Sequence, residues 1–423
     1  LAFPNRRYGI LFATGAISLL IRWSFHRNGS LGFFGVEEPR IWGVYAFVAH
    51  VTIVGVVAKI LLLMSAKKNE RSRFVLLFGT LATAIFLIYC SPFRFESRFI
   101  NMMMFAFTSQ MGLLAPCIAL TIMRLRLNDS YSGAGILASL SQGWMIGFIL
   151  PPIGIAEHWE RVATRSLDET CRLQRRSLWL FILAAGIGYL RMRIVPVIGE
   201  EEKTSLWMIQ PALIALNSGK SLSTLDLWRA VLTDFGVYFI WLMWVGLTAV
   251  ATMRLAGFHV FRNTYRLFES RTFAEFFERY QYYYKELVFA VSFWPVFVRM
   301  RTLGLRWRVA LSLFFSVGLF NTYLNLTFRW SKTVFLDFGK ANEKILTFSL
   351  NYLVYATMLA ALIYPSMLKA VTGRETSTPP VWWRAVKVFG IICAFAAIRT
   401  FERSIPGEYF INWRMFLGLF GLL

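Results

Sequence analysis

Charge is scarce in this chain. Of 423 residues, 16% are Asp, Glu, Lys or Arg, where a soluble domain carries about 25%. Apolar types make up 57% and aromatics 17%, and the mean hydropathy is +0.53. An ordinary water-soluble domain is thereby excluded. Acid is scarcer still, with 23 Asp and Glu against 45 Lys and Arg, a net charge of +22. Cysteine is nearly absent: Cys90, Cys117, Cys171 and Cys393 show neither pairing nor metal spacing, which excludes a disulfide framework. His26, His50, His158 and His259 are scattered and form no ligand set, so no metal or resident cofactor is expected. No basic, glycine-rich or zinc-like module stands outside the apolar runs, and nucleic acid is not expected as a partner.

What is present is a series of apolar runs long enough to cross a bilayer. The expected fold class is all-α, a polytopic membrane protein with nine to eleven transmembrane helices plus short re-entrant or interfacial helices. Spans are expected at about Tyr8–Phe25, Ile41–Met64, Phe74–Cys90, Ile100–Met123 and Ser132–Ile155, the last kinked by Pro151-Pro152. A polar segment from Glu157 to Arg176 reads as interfacial. Further spans are expected at Leu178–Ile198, Leu227–Phe258, Val309–Phe328, Ile345–Leu368 and Trp382–Ile398, with a last apolar piece at Ile411–Leu423. Residues 207–216 contain Pro211 and are too short to cross, as is Leu287–Val298. The whole of 1–423 reads as one transmembrane domain, with N-terminal helices over 1–200, a core over 226–330 and C-terminal helices over 331–423. The excess of Lys and Arg fits the positive-inside bias and contact with anionic headgroups. Membrane lipids are the first expected partner.

One stretch, Gly236–Glu286, breaks this monotony. Its apolar run contains Asp234 just upstream and Arg254, both costly at membrane depth unless paired; pairing with each other, or with Arg266 and Arg279, is the expectation. Glu275, Glu278 and Glu286 are expected to pair with Arg271, Arg279 and Lys285. The tyrosines from Tyr280 to Tyr284 read as an interfacial aromatic belt or the lining of a channel.

The order and spacing of these pieces resemble the membrane-bound O-acyltransferase family, in its bacterial branch that acylates cell-envelope polymers, as in alginate acetylation and teichoic acid D-alanylation. Arg254-Leu255-Ala256-Gly257-Phe258 resembles the family's Arg-Leu-x-Gly-Phe. A connector, Phe261-Arg262-Asn263-Thr264-Tyr265-Arg266, leads to Thr272-Phe273-Ala274-Glu275-Phe276-Phe277-Glu278-Arg279-Tyr280-Gln281. That segment resembles the family's Phe-Trp-x-Arg-Trp-His. Val317-Gly318-Leu319-Phe320-Asn321, 40 positions after Gln281, lies where the family has Gly-Leu-Trp-His-Gly. The likeness covers about a quarter of the chain.

The departures carry the functional expectation. Both family histidines are replaced, by Gln281 and by Asn321, while Tyr280 and Phe320 keep the aromatic bulk beside them. Acyl transfer needs a base near the acceptor hydroxyl, and an amide cannot take a proton at neutral pH. The resemblance therefore implies a fold frame (Arg254, Gly257, Phe258, Asn263, Tyr265, Phe276, Arg279, Tyr280, Gly318, Leu319, Phe320) without its base. His259 and Glu278 are the available substitutes. Three readings are open. One is a non-catalytic scaffold or accessory subunit of a complex in the bacterial inner membrane, with other subunits as partners. The second is a divergent acyltransferase on an envelope polysaccharide or lipid, using an acyl thioester donor. The third is a transporter or lipid-handling protein.

Overall fold

In the computed structural model, residues 162–200, 208–326, 341–372 and 381–422 are described. The first five expected spans and the start of the interfacial segment lie outside them. The described residues are mostly helical and contain no strand beyond isolated bridges. Their contacts divide into two units, residues 162–181 with 248–261, and residues 182–200, 208–247, 262–326, 341–372 and 381–422.

Ten helices are numbered in chain order. They are α1 Leu167–Glu200, α2 Ile209–Asn217, α3 Thr224–Leu255, α4 Phe273–Tyr280, α5 Tyr282–Val288 and α6 Trp294–Arg299. Then come α7 Leu305–Leu326, α8 Ala341–Val371, α9 Val381–Ile398 and α10 Ile411–Gly418. Among the described residues, three helices are long and apolar enough to cross a membrane: Thr224–Leu255, Leu305–Leu326 and Ile345–Val371. At 1.5 Å per residue, even the shortest, of 22 residues, reaches about 33 Å, against about 30 Å of hydrocarbon. α2, with nine residues, and α10, with eight, are too short. From Leu167 onward the polar stretch up to Arg176 is not a helix of its own. It is the start of α1, which runs unbroken into the apolar part, because nothing between Leu167 and Leu178 breaks a helix.

In the first unit, the start of α1 lies along the end of α3. The Ser177 hydroxyl donates to Ala251 O (2.6 Å), Gln174 Nε2 to Leu255 O (2.9 Å), and Thr164 N–H to Gly257 O (2.9 Å). α3 stops at Gly257, whose φ of +89° is the left-handed conformation that glycine adopts freely. Gly257 N–H returns to Arg254 O (3.0 Å) and Phe258 N–H to Met253 O (3.1 Å), the two bonds of a Schellman stop. Arg254 secures the exit by donating from both Nε (3.1 Å) and Nη2 (2.9 Å) to Val260 O.

In the second unit, α3 starts with a capping box. Asp226 N–H donates to the Ser223 hydroxyl (3.2 Å) and Ser223 N–H to Asp226 Oδ2 (3.3 Å), which satisfies groups a helix start would leave orphaned. Gly188 lets the indole of Trp244 approach so closely that a Cβ there would lie 2.7 Å from its Nε1. α8 packs on α7 and on the 3₁₀ turn Arg399–Glu402 that succeeds α9. α7 carries a π turn over Phe314–Phe320, which rotates Asn321 and Asn325 relative to the first turns of the helix.

Replacing Gly257 by Ala puts a Cβ on a left-handed residue, at a cost of about 1–2 kcal/mol. Equilibrium unfolding in detergent should show that loss, whereas Gly236→Ala, where a Cβ meets nothing within 4 Å, should not. Equal stability of the Gly257 variant and the parent would contradict the stop as described.

Candidate functional site

The segment that resembles the family motif forms a broken helix held by the connector before it. Thr272, the N-cap of α4, accepts from Glu275 N–H (3.1 Å), a T-x-x-E start. α4 ends at Tyr280, and α5 restarts one residue later, with Gln281 in a non-helical conformation between them. A break exposes carbonyls on one side and N–H groups on the other. The connector meets both sets. Tyr265 N–H donates to Arg279 O (3.0 Å) and the Thr264 hydroxyl to Tyr280 O (2.9 Å). Tyr282 N–H donates to Asn263 O (3.0 Å) and Tyr283 N–H to Asn263 Oδ1 (3.3 Å). Arg279 Nη1 donates to Arg266 O (3.0 Å), and its pairs with Glu269 (3.8 Å) and Glu275 (3.9 Å) are exposed contacts of small worth.

Gln281 faces the protein interior by one contact, its Nε2 donating to the Tyr238 hydroxyl at 3.3 Å. Tyr238 lies under the guanidinium of Arg399, 4.3 Å from ring centroid to Cζ, a cation–π geometry. One helical turn before Tyr238 is Asp234. Arg399 and Asp234, each 2% exposed, pair at 3.3 Å, and Arg403 reaches the other carboxylate oxygen at 3.5 Å. Glu402 accepts from Arg399 Nε at 2.8 Å, so two arginines face two carboxylates. This corrects the expected partners of Asp234. Arg254 is 20 residues further along the same helix, about 30 Å at 1.5 Å per residue, Arg279 donates to Arg266 O of the connector, and the Arg266 side chain pairs with Glu269 at 3.6 Å.

The tyrosine run is also corrected. Tyr280, Tyr283 and Tyr284 are buried and do not form a belt. Tyr280 stacks between Phe276 (5.5 Å) and the rings of Phe239 (6.3 Å) and Phe235 (6.2 Å), with Phe395 edge-on at 5.2 Å. Its hydroxyl, like Arg399 Nη1, has no hydrogen-bond partner among the described residues.

Asn321 lies in a second polar cluster. Its Oδ1 accepts from the Tyr284 hydroxyl, from Asn325 Nδ2 (3.0 Å) and from the Tyr352 hydroxyl (3.4 Å). Tyr284 is on α5, one turn after Gln281, and Tyr352 is on α8. Asn325, Tyr352, Arg399, Arg403 and Glu402 were not singled out from the sequence. Gly318 O accepts the Thr322 hydroxyl (2.7 Å), Leu319 is exposed, and Phe320 stacks on Tyr323 at 6.2 Å.

The two substitute bases each have a partner. Glu278 pairs with Lys285 (3.5 Å), which also meets Glu286 (2.9 Å). Burial works against the Lys285 charge, yet the Glu286 and Glu278 carboxylates outweigh it and hold its pKa above the ordinary value. In the other unit, His259 Nε2 meets Glu169 Oε1 at 2.9 Å. Arg165 N–H donates to Glu169 Oε2 (2.7 Å) and lowers the Glu169 pKa; desolvation opposes this and His259 adds to it. Among the described residues no group of three His, Cys, Asp or Glu could hold a metal.

Two outcomes test this geometry. Asn263→Ala removes the side-chain acceptor of the buried Tyr283 N–H and should cost about 1–3 kcal/mol in unfolding experiments; no loss would contradict the clamp. Because the folded pKa of Glu169 is depressed, its contribution is present above the ordinary Glu value of about 4.3 and is lost as pH falls through that value and the lower folded one. The melting temperature of the parent should therefore fall more steeply below about pH 4.3 than that of Glu169→Gln, and parallel curves would contradict it.

Set against known proteins, the chain matches no family model and no curated sequence.

Proposed function

We propose that this chain is a multi-pass inner-membrane protein with the membrane-bound O-acyltransferase frame, and that it works as a non-catalytic scaffold or accessory subunit of a membrane complex. One observation carries the reading: the side-chain oxygen of Asn321, at the position of the family's catalytic histidine, accepts from Tyr284, Tyr352 and Asn325. No carboxylate or imidazole among the described residues is hydrogen-bonded to it. A carbonyl oxygen already surrounded by three donors holds helices α5, α7 and α8 together; it does not take a proton from an acceptor hydroxyl. Loss of the base alone removes roughly 10²–10⁴ in rate.

A second reading is favoured by the His259–Glu169 pair. An imidazole hydrogen-bonded to a carboxylate and half exposed has the form of a base with its orienting group. It would make the chain a divergent acyltransferase that uses a thioester donor.

Purified protein with thioester donors and envelope glycan or lipid acceptors decides between them. The scaffold reading expects no transfer above the uncatalysed rate from the parent, and no change in Asn321→Ala. Turnover in the parent that His259→Ala, Glu278→Ala or Asn321→Ala abolishes would overturn it. The scaffold reading also expects the natively extracted protein to run with other subunits; a monodisperse monomer that transfers acyl groups would contradict both parts.

A further inference from the structure

We propose that the turn between α6 and α7 is a binding site for anionic phospholipid headgroups, held by Arg299, Arg301 and Arg306. This rests on no part of the acyltransferase reading. The turn is tight: Met300 N–H returns to Val296 O (3.0 Å), Leu303 N–H to Met300 O (3.0 Å) and Arg308 N–H to Gly304 O (3.1 Å). Four arginines fall within ten residues, and from Leu287 to Leu336 the sequence contains no Asp or Glu. The fourth, Arg308, is committed to the protein. It donates from Nε (3.3 Å) and Nη2 (3.1 Å) to Phe297 O and stacks over the Phe297 ring at 4.1 Å, which joins the two helices. The other three are exposed, and no carboxylate among the described residues pairs with them.

The second observation is their place on a helix. α7 starts after Gly304 with no acidic residue in its first turn, and Arg306 and Arg308 sit there instead. A helix N-terminus carries a partial positive charge that disfavours cations and favours anions. Two arginines at that end, with no internal counter-charge, call for an anion from outside. The surroundings say which one. α7 is long and apolar enough to cross a membrane, and Trp307 and Trp294 beside the turn are 68% and 51% exposed. Exposed indoles flanking arginines at the end of an apolar helix match the headgroup level of a bilayer, where each Lys or Arg near an anionic surface adds on the order of 5-fold in affinity.

The test is native mass spectrometry of the full chain in detergent, titrated with phosphatidylglycerol and, separately, phosphatidylcholine. The parent should retain phosphatidylglycerol preferentially. R299Q/R301Q/R306Q should lose that preference by on the order of 10²-fold, and the triple lysine variant should keep most of it. A glutamine variant as selective as the parent would overturn the proposal. Should that variant not fold, the parent alone decides: raising the salt should erase the preference, and a salt-independent preference overturns it. Displacement of the lipid by millimolar glycerol phosphate would also overturn it, in favour of a soluble anion; acidic peptide bound in place of lipid would do so in favour of a protein partner.

Discussion

Asp234 sets the terms for the second unit. A carboxylate ten residues into a 32-residue apolar helix is tolerated only if neutralised, because desolvating an isolated charge costs several kcal/mol. The neutralising group is Arg399, supported by Glu402 and joined by Arg403. That requirement draws the turn after α9 against the middle of α3. The turn is in turn held by Asn412, whose Nδ2 donates to Thr400 O and to Arg403 O (2.7 Å) and whose Oδ1 accepts from Asn351 of α8 (3.2 Å). Arg399 also covers Tyr238, and Tyr238 is what Gln281 reaches. One buried charge thus fixes the placement of four elements.

The break at Gln281 is the second constraint. Left bare, it would strand backbone groups from two helices in a buried place. The connector residues Asn263, Thr264 and Tyr265 satisfy four of them, which explains why a polar, aromatic stretch interrupts an apolar chain. An enzyme could use such a break to aim a reactive side chain. In this chain the side chain is an amide, and the neighbouring position on α7 is an amide as well. Both are engaged by tyrosine hydroxyls. Around them, Asp234, Arg399, Glu402 and Arg403 pair with one another, while the Tyr280 hydroxyl and Arg399 Nη1 have no hydrogen-bond partner among the described residues.

The sequence showed a good part of this, and for physical reasons not all of it. Apolar length marked Leu227–Phe258, Val309–Phe328 and Ile345–Leu368, which overlap the helices Thr224–Leu255, Leu305–Leu326 and Ile345–Val371, and Pro211 with its short flanks marked a segment too brief to cross. The apolar run was expected to end at Phe258, and the helix stops three residues earlier, at Leu255, where Gly257 takes a left-handed φ. The need of Asp234 for a cation was legible from burial cost alone. Its identity was not, since Arg399 lies 165 positions away and the choice among many arginines is made by tertiary packing. Tyr280 to Tyr284 were misread as a belt because composition does not tell a lipid-facing ring from a core ring; the break at Gln281, which turns three of them inward, had no sequence signature of its own. Asn325 was passed over because a single asparagine has no pattern, and only helical spacing from Asn321 on one face makes it part of the site.

The buried Asp234–Arg399 pair holds the second unit together. A double-mutant cycle on Asp234 and Arg399, read by equilibrium unfolding in detergent, tests it most directly. The account predicts that Asp234→Asn and Arg399→Met each cost about 3–5 kcal/mol, and that the double variant loses clearly less than the sum, because Arg399→Met alone leaves the Asp234 carboxylate buried without Arg399. Single variants as stable as the parent, with a coupling near zero, would contradict it.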